Sequence, residues 1–297
     1  MYIEQLKKLK VNEVAYIICI ASVLGFFGLN IISSFFVDSD VNESIQLLIS
    51  QFGKTITFVI LVFPLSFLCI LLLLWIKYIN KQSITSLTTS RVKIDWNRIF
   101  FMFSLWSVFL VITSLLSYYF FPEEFIIQFN WKKFLPFAIV ALLLIPLQIA
   151  FEEYFFRGYL MQYVGFKTNR RFIPLVVTSL LFGLMHLSNP EIGAMGYSIL
   201  IFYIGTGFLL GVFTLMDDGL ELALGFHAAN NLVGALLVTS DTSVFQTNAI
   251  FKDISTSQSF YPILIQVVLV YPILLLVCSK KYNWKNWKQN LVSKLGE

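Results

Sequence analysis

The chain of 297 residues is 58% hydrophobic and only 13% charged, with a mean hydropathy of +0.78. Soluble domains carry about 25% charged residues, so this composition excludes a soluble globular fold and points to a polytopic membrane protein. The formal charge of +4 follows the loops between apolar segments rather than one basic face, which excludes nucleic-acid binding.

Apolar runs near the length of a membrane span occur at 13–37, 56–76, 99–121, 134–160, 172–188, 195–216, 220–239 and 259–279. The predicted fold is an all-α, polytopic membrane helical bundle of about eight transmembrane helices. With the N-terminus inside, sixteen Lys and Arg fall in inner segments and four (Lys54, Lys132, Lys133, Lys252) in outer ones. This positive-inside bias predicts N-in and C-in. Lys7, Lys8 and Lys10 precede the first run as in a signal peptide, but the run is long and lacks a small-residue cleavage site. A retained first helix is therefore expected.

Residues 1–12 are expected at the inner membrane surface. From Asp38 to Lys54, acidic residues followed by Ile45, Leu47, Leu48, Ile49 and Phe52 suit a short interfacial helix outside. The inner loop Lys77 to Arg98, with five basic residues, reads as a topology determinant in contact with anionic headgroups. Glu123 and Glu124 follow Pro122 in an outer loop and read as a solvated turn, before the interfacial anchor Trp131, Lys132 and Lys133. Gly207 and Gly211 form a GxxxG face for close helix packing, without the spacing of a nucleotide loop. Trp284, Trp287 and Leu291 recur among lysines as in a basic amphipathic helix on the inner leaflet. Cys19, Cys69 and Cys278 lie in three different predicted helices and form no metal or disulfide pattern. The last residues, from Lys294 to Glu297, carry no lipidation motif.

Against this background Phe151 to Arg157 stands out, because it places Glu152, Glu153 and Arg157 at the end of an uncharged run. A charge at membrane depth costs about 2.5–3.5 kcal/mol on insertion scales, so such groups mark function. Arg157 lies about 40° round a helix from Glu153 but about 140° from Glu152. Glu153 and Arg157 are expected to pair, leaving Glu152 without that counter-charge and suited to act as a base. Pro146 is placed to bend the helix towards a cavity. The chain's only histidines, His186 and His227, also fall in apolar segments. A hairpin turning near Thr168 would bring Glu152 and His186 to similar depth, able to share a water. His227 and Asn231, four apart, point the same way.

The ordered blocks Glu152-Glu153-x-x-x-Arg157, Phe182-x-x-x-His186 and His227-x-x-x-Asn231 resemble the three motifs of the CPBP family of intramembrane proteases, which includes type II CAAX prenyl endopeptidases and bacterial Abi-type proteins. The resemblance covers roughly 134–240. It divides the chain into an N-terminal three-helix region (1–133), a catalytic core of four helices (134–240), and a last helix with a basic tail (241–297). It implies an intramembrane endopeptidase in which Glu152 activates water and His186 holds and polarises it. His227 and Asn231 would stabilise the oxyanion, Glu153 and Arg157 would orient the site, and Phe182 would pack beneath His186.

The reading implies no cofactor. The alternative is a zinc ion held by Glu152, His186 and His227 with water in the fourth position, although no HExxH is present and zinc would compete with the oxyanion role of His227. The expected partners are a membrane-bound peptide or protein substrate and the lipid bilayer, and the expected place is a bacterial plasma membrane. The competing function is a non-catalytic Abi-type regulator or scaffold that binds a partner protein, in envelope regulation or bacteriocin immunity. A proton-coupled transporter is disfavoured because the chain lacks repeat symmetry and paired broken helices.

Overall fold

The computed structural model describes residues 1–36, 41–255 and 259–295. Its main helices, in chain order, are α1 (Glu13–Phe36), α2 (Val41–Ile79), α3 (Trp96–Phe120), α4 (Trp131–Thr168), α5 (Phe172–Leu184), α6 (Pro190–Met216), α7 (221–237) and α8 (Phe260–Tyr282). Each apolar segment of the sequence corresponds to one of them. Among the described residues, six helices, namely all but α5 and α7, are long and apolar enough to cross a membrane. The fold is an all-α membrane bundle.

Lipid tails are as apolar as leucine, so hydrophobicity cannot drive helix against helix; close packing and polar contacts must. Leu142 and Leu143 of α4 and Val268 and Leu269 of α8 accordingly face outward, where a soluble protein would be polar. Glycines at the helix contacts allow that close packing. A Cβ on Gly207 would lie 2.9 Å from the Ser179 Cα, and one on Gly211 would strike Leu175, so this pair seats α6 directly on α5. Gly225 brings α7 against the backbone of α3 at Ile99 in the same way. α2 runs along α4, while α7 packs against α3, α4 and α6 and occupies the middle of the bundle.

Gly53, at φ 77° and ψ 162°, interrupts α2 and separates its first turns from the span. This break produces the short helix expected before Lys54; Asp38 and the two residues after it lie outside the described residues. Near the same end, β1 (Phe125–Ile127), β2 (Val238–Ser240) and β3 (Phe251–Asp253) form a small sheet with β3 in the centre. β3 is antiparallel to β1, with Ile126 opposite Lys252, and parallel to β2, with Thr239 opposite Lys252. Strands this short leave no readable alternation, and the sequence gives no warning of them.

The opposite end is more tightly bound than expected. Arg91 pairs with Asp217 (3.1 Å) and Glu221 (3.2 Å), and Arg98 pairs with Asp217 and with Asp95 (3.1 Å). Two cations of the basic segment from Lys77 to Arg98 therefore compensate buried carboxylates at the α6–α7 turn, where an unpaired charge would be costly. Trp284 donates to Asp217 Oδ1 (3.1 Å), and Leu295 is buried. The tail is thus docked on the protein in addition to presenting lysines outward. At the other terminus Tyr2, Ile3 and Leu6 are buried. The Tyr2 hydroxyl lies 2.5 Å from the Leu87 carbonyl and 3.2 Å from that of Arg157, so the first residues plug into the bundle instead of resting on its surface.

Candidate active site

The site is built on α4. Its α-helical part ends at Glu153 and continues as a π-helical stretch, Tyr154–Leu160. A second π stretch, Ala229–Val233, lies in α7 at Asn231. Such turns occur frequently at functional sites, where the extra residue re-aims side chains. Neither π stretch is signalled by the residue pattern; the bend expected of Pro146 lies before the first of them.

Glu153 and Arg157 pair as the spacing predicts, at 2.9 Å with both side chains fully buried. The structure adds a third member. Glu153 Oε1 also accepts a hydrogen bond from His227 Nδ1 at 2.8 Å, so one carboxylate oxygen joins α4 to α7. The guanidinium is further held by its Nη2, which donates to the Gly207 carbonyl (3.3 Å), and by the Phe182 ring, whose centroid is 4.2 Å away. The close seating of α6 at Gly207 is what brings that carbonyl within reach.

Glu152 is not bound to Arg157, as expected, but it is not isolated. Gln148, one turn earlier, donates to Glu152 Oε1, and Asn231 Nδ2 donates to Gln148 Oε1 at 3.2 Å. Gln148 therefore links the acid to the asparagine. The remaining oxygen, Glu152 Oε2, is buried without a hydrogen-bond partner and lies 3.8 Å from His227 Nε2. Because Nδ1–H of His227 is given to Glu153, Nε2 is the ring atom that meets the acid.

His186 follows α5 and is fixed differently. Its Nδ1 donates to the Phe182 carbonyl (2.7 Å), and its ring stacks on Tyr203 with centroids 4.1 Å apart. Phe182 packs against His186 at 5.0 Å, as expected, and also edge-on to His227 at 5.8 Å. Glu152, His186, His227 and Asn231 line one cavity of about 580 Å³, with Gln148 and Tyr203. His186 and Glu152, expected at similar depth across the hairpin, do share this cavity, but the histidine facing the free oxygen of Glu152 is His227. Gln148 was legible as a lone amide one helical turn before Glu152 in an apolar run; Tyr203, an aromatic among aromatics, carried no signal.

A zinc ion needs three protein ligands converging on one point. Among the described residues no group of three or more His, Cys, Asp or Glu side chains is placed to hold a metal. His186 and His227 each engage Nδ1, with Phe182 and Glu153, and keep Nε2 available, an arrangement that ligand histidines also use; what the set Glu152, His186 and His227 lacks is convergence on one point.

The same stretch answers to a known family. Residues 131–233 match the family model described as Type II CAAX prenyl endopeptidase Rce1-like. They form an Rce1-like domain. It contains α4, α5, α6 and most of α7, and hence all seven motif residues from Glu152 to Asn231. A protein of Bacillus subtilis (strain 168) described as the uncharacterized protein YyaK is 33% identical over 172 residues, 57% of this chain and 57% of its own length. No solved structure matches the chain. At the level of the family, this integral membrane protein is related to CAAX-type membrane proteases.

Proposed function

We propose that the protein is an intramembrane endopeptidase that hydrolyses a peptide bond of a membrane-associated peptide or protein in a bacterial plasma membrane. The observation that carries this reading is the unpartnered Glu152 Oε2, buried in the cavity 3.8 Å from His227 Nε2. That gap is too long for a direct hydrogen bond and suits a water bonded to both atoms. Glu152 takes a proton from this water, and the hydroxide oxygen attacks the carbonyl carbon of the substrate. The developing oxyanion is met by the amide of Asn231, whose second N–H is not used by Gln148, and by the His227 ring, held in place by Glu153. The carbon–nitrogen bond then breaks, and the proton held by Glu152 passes to the leaving amine. His186 Nε2, left free by the bond from Nδ1 to Phe182, orients the water on the cavity side.

General acid–base catalysis contributes about 10²–10⁴-fold, so Glu152→Gln should lower turnover by at least two orders of magnitude at wild-type expression, and His186→Ala should lower it strongly. Comparison of membrane peptidomes with and without Glu152→Gln should reveal substrates that accumulate uncut. Identical peptidomes and phenotypes for the wild type and both variants would reject hydrolysis.

A further inference from the structure

One carboxylate of the cavity has no part in this chemistry. Glu191 opens the short helix Pro190–Met195 and lines the same cavity as Glu152. Its Oε1 accepts a hydrogen bond from the Val244 backbone N–H at 2.9 Å, which fixes the side chain against the segment between β2 and β3. Its Oε2 is buried and makes no close hydrogen bond; the Tyr203 hydroxyl beside the carboxylate is, among the described residues, its one neighbouring side-chain donor, and that donor is neutral. Tyr203 in turn stacks on His186 and accepts a hydrogen bond from Asn189 (3.2 Å), so Glu191 is coupled by contact to the wall of the site.

The charge balance around Glu191 is one-sided. Among the described residues no Lys or Arg lines the cavity, and the buried Arg157 is spent on Glu153 and Gly207. No salt bridge to Glu191 occurs among the described residues. A buried carboxylate met only by neutral donors is unfavourable, and a cation that enters the cavity and binds it removes that penalty. A divalent metal would need further ligands beside it, and the described residues offer no such group. A single fixed carboxylate instead suits one ammonium or guanidinium group.

We propose that Glu191 forms a subsite for a positively charged side chain, Lys or Arg, of the bound peptide, displaced from the scissile bond towards the three-stranded sheet. This inference rests on the peptide reading of the cavity and deepens it. It makes the enzyme selective for apolar segments that carry a basic residue near the cut.

The test reads binding rather than turnover. The full chain, carrying Glu152→Gln and held in lipid nanodiscs, is titrated with fluorescent apolar peptides of about twenty residues, long enough to span, that differ only in one Arg, norleucine or Glu moved along the sequence. With Glu191 intact, the Arg peptide should bind about tenfold more tightly than the norleucine peptide at one position of the series. Glu191→Gln should bring that ratio close to one, and Glu191→Arg should shift the preference to the Glu peptide, which also shows that the variant is folded. Equal binding of all three peptides, or an Arg preference unchanged by Glu191→Gln, would overturn the subsite and leave the protease reading standing. If no peptide binds, the peptide reading and the subsite fall together.

Discussion

The carboxylate oxygen shared by Arg157 and His227 gives Glu153 two separable duties, and a double substitution can part them. In Glu153→Gln the neutral amide leaves Arg157, fully buried, without a counter-charge, held only by neutral groups: the new amide, the Gly207 carbonyl and the Phe182 ring. Breaking a buried pair by removing one partner costs about 3–5 kcal/mol. The same substitution replaces the carboxylate that fixes His227 Nδ1–H with a neutral amide that can also present its NH2 to the ring, and the equivalent change in the serine-protease triad lowers turnover by about 10⁴. Adding Arg157→Met removes the orphaned cation while keeping much of its volume. The pair of variants should therefore diverge: stability in detergent, followed by thermal or denaturant unfolding, should recover by about 1–3 kcal/mol in the double variant, whereas cleavage per folded molecule should stay at the level of Glu153→Gln. A double variant as unstable as the single one would deny that an unpaired Arg157 is the source of the damage. A double variant that regains activity would deny that Glu153 acts by holding His227.

Further outcomes follow from the same contacts. Gln148→Leu removes both the donor to Glu152 and the acceptor for Asn231, and should lower kcat about 10- to 100-fold with a smaller change in KM; steady-state kinetics on one peptide substrate would separate the two. Gly207→Ala places a methyl group 2.9 Å from the Ser179 Cα, forcing α6 away from α5. It should cost about 1–3 kcal/mol in unfolding experiments and reduce activity through the loosened Arg157. Exhaustive chelation should leave activity intact in detergent; a loss restored by added zinc would show that the three candidate ligands converge after all.

The parts of this site that were legible in the sequence are those governed by local geometry. Glu153 and Arg157 meet because one helical turn separates them, and the π stretch that follows does not disturb that contact. The hairpin near Thr168 was readable from the run lengths, and the α4 helix does end there, with Asn169 in the left-handed conformation. Relations between distant segments were less accessible. Nothing in the order of residues says that His227, rather than His186, faces the free oxygen of Glu152, because that depends on α7 occupying the middle of the bundle. The buried network at the α6–α7 turn was hidden for another reason: Asp217 and Glu221 flank an apolar run, where charged residues ordinarily mark the edge of the membrane. Only their meeting with Arg91 and Arg98, more than a hundred residues earlier, makes them structural. The resemblance of motif order supplied roles for single residues, and the structure supplied their wiring, above all the amide of Gln148.

The shared oxygen of Glu153 also bears on how the chain is made. His227 is 74 residues further along the chain, and at a synthesis rate of about 5–20 residues per second it emerges roughly 4–15 s after Glu153. During that interval α4 must reside in or near the bilayer with an acidic pair on board and its eventual histidine not yet synthesised. Arg157 is the partner that arrives almost at once. The local ion pair thus meets the charge of Glu153 within α4 itself, before α7 is present to add His227.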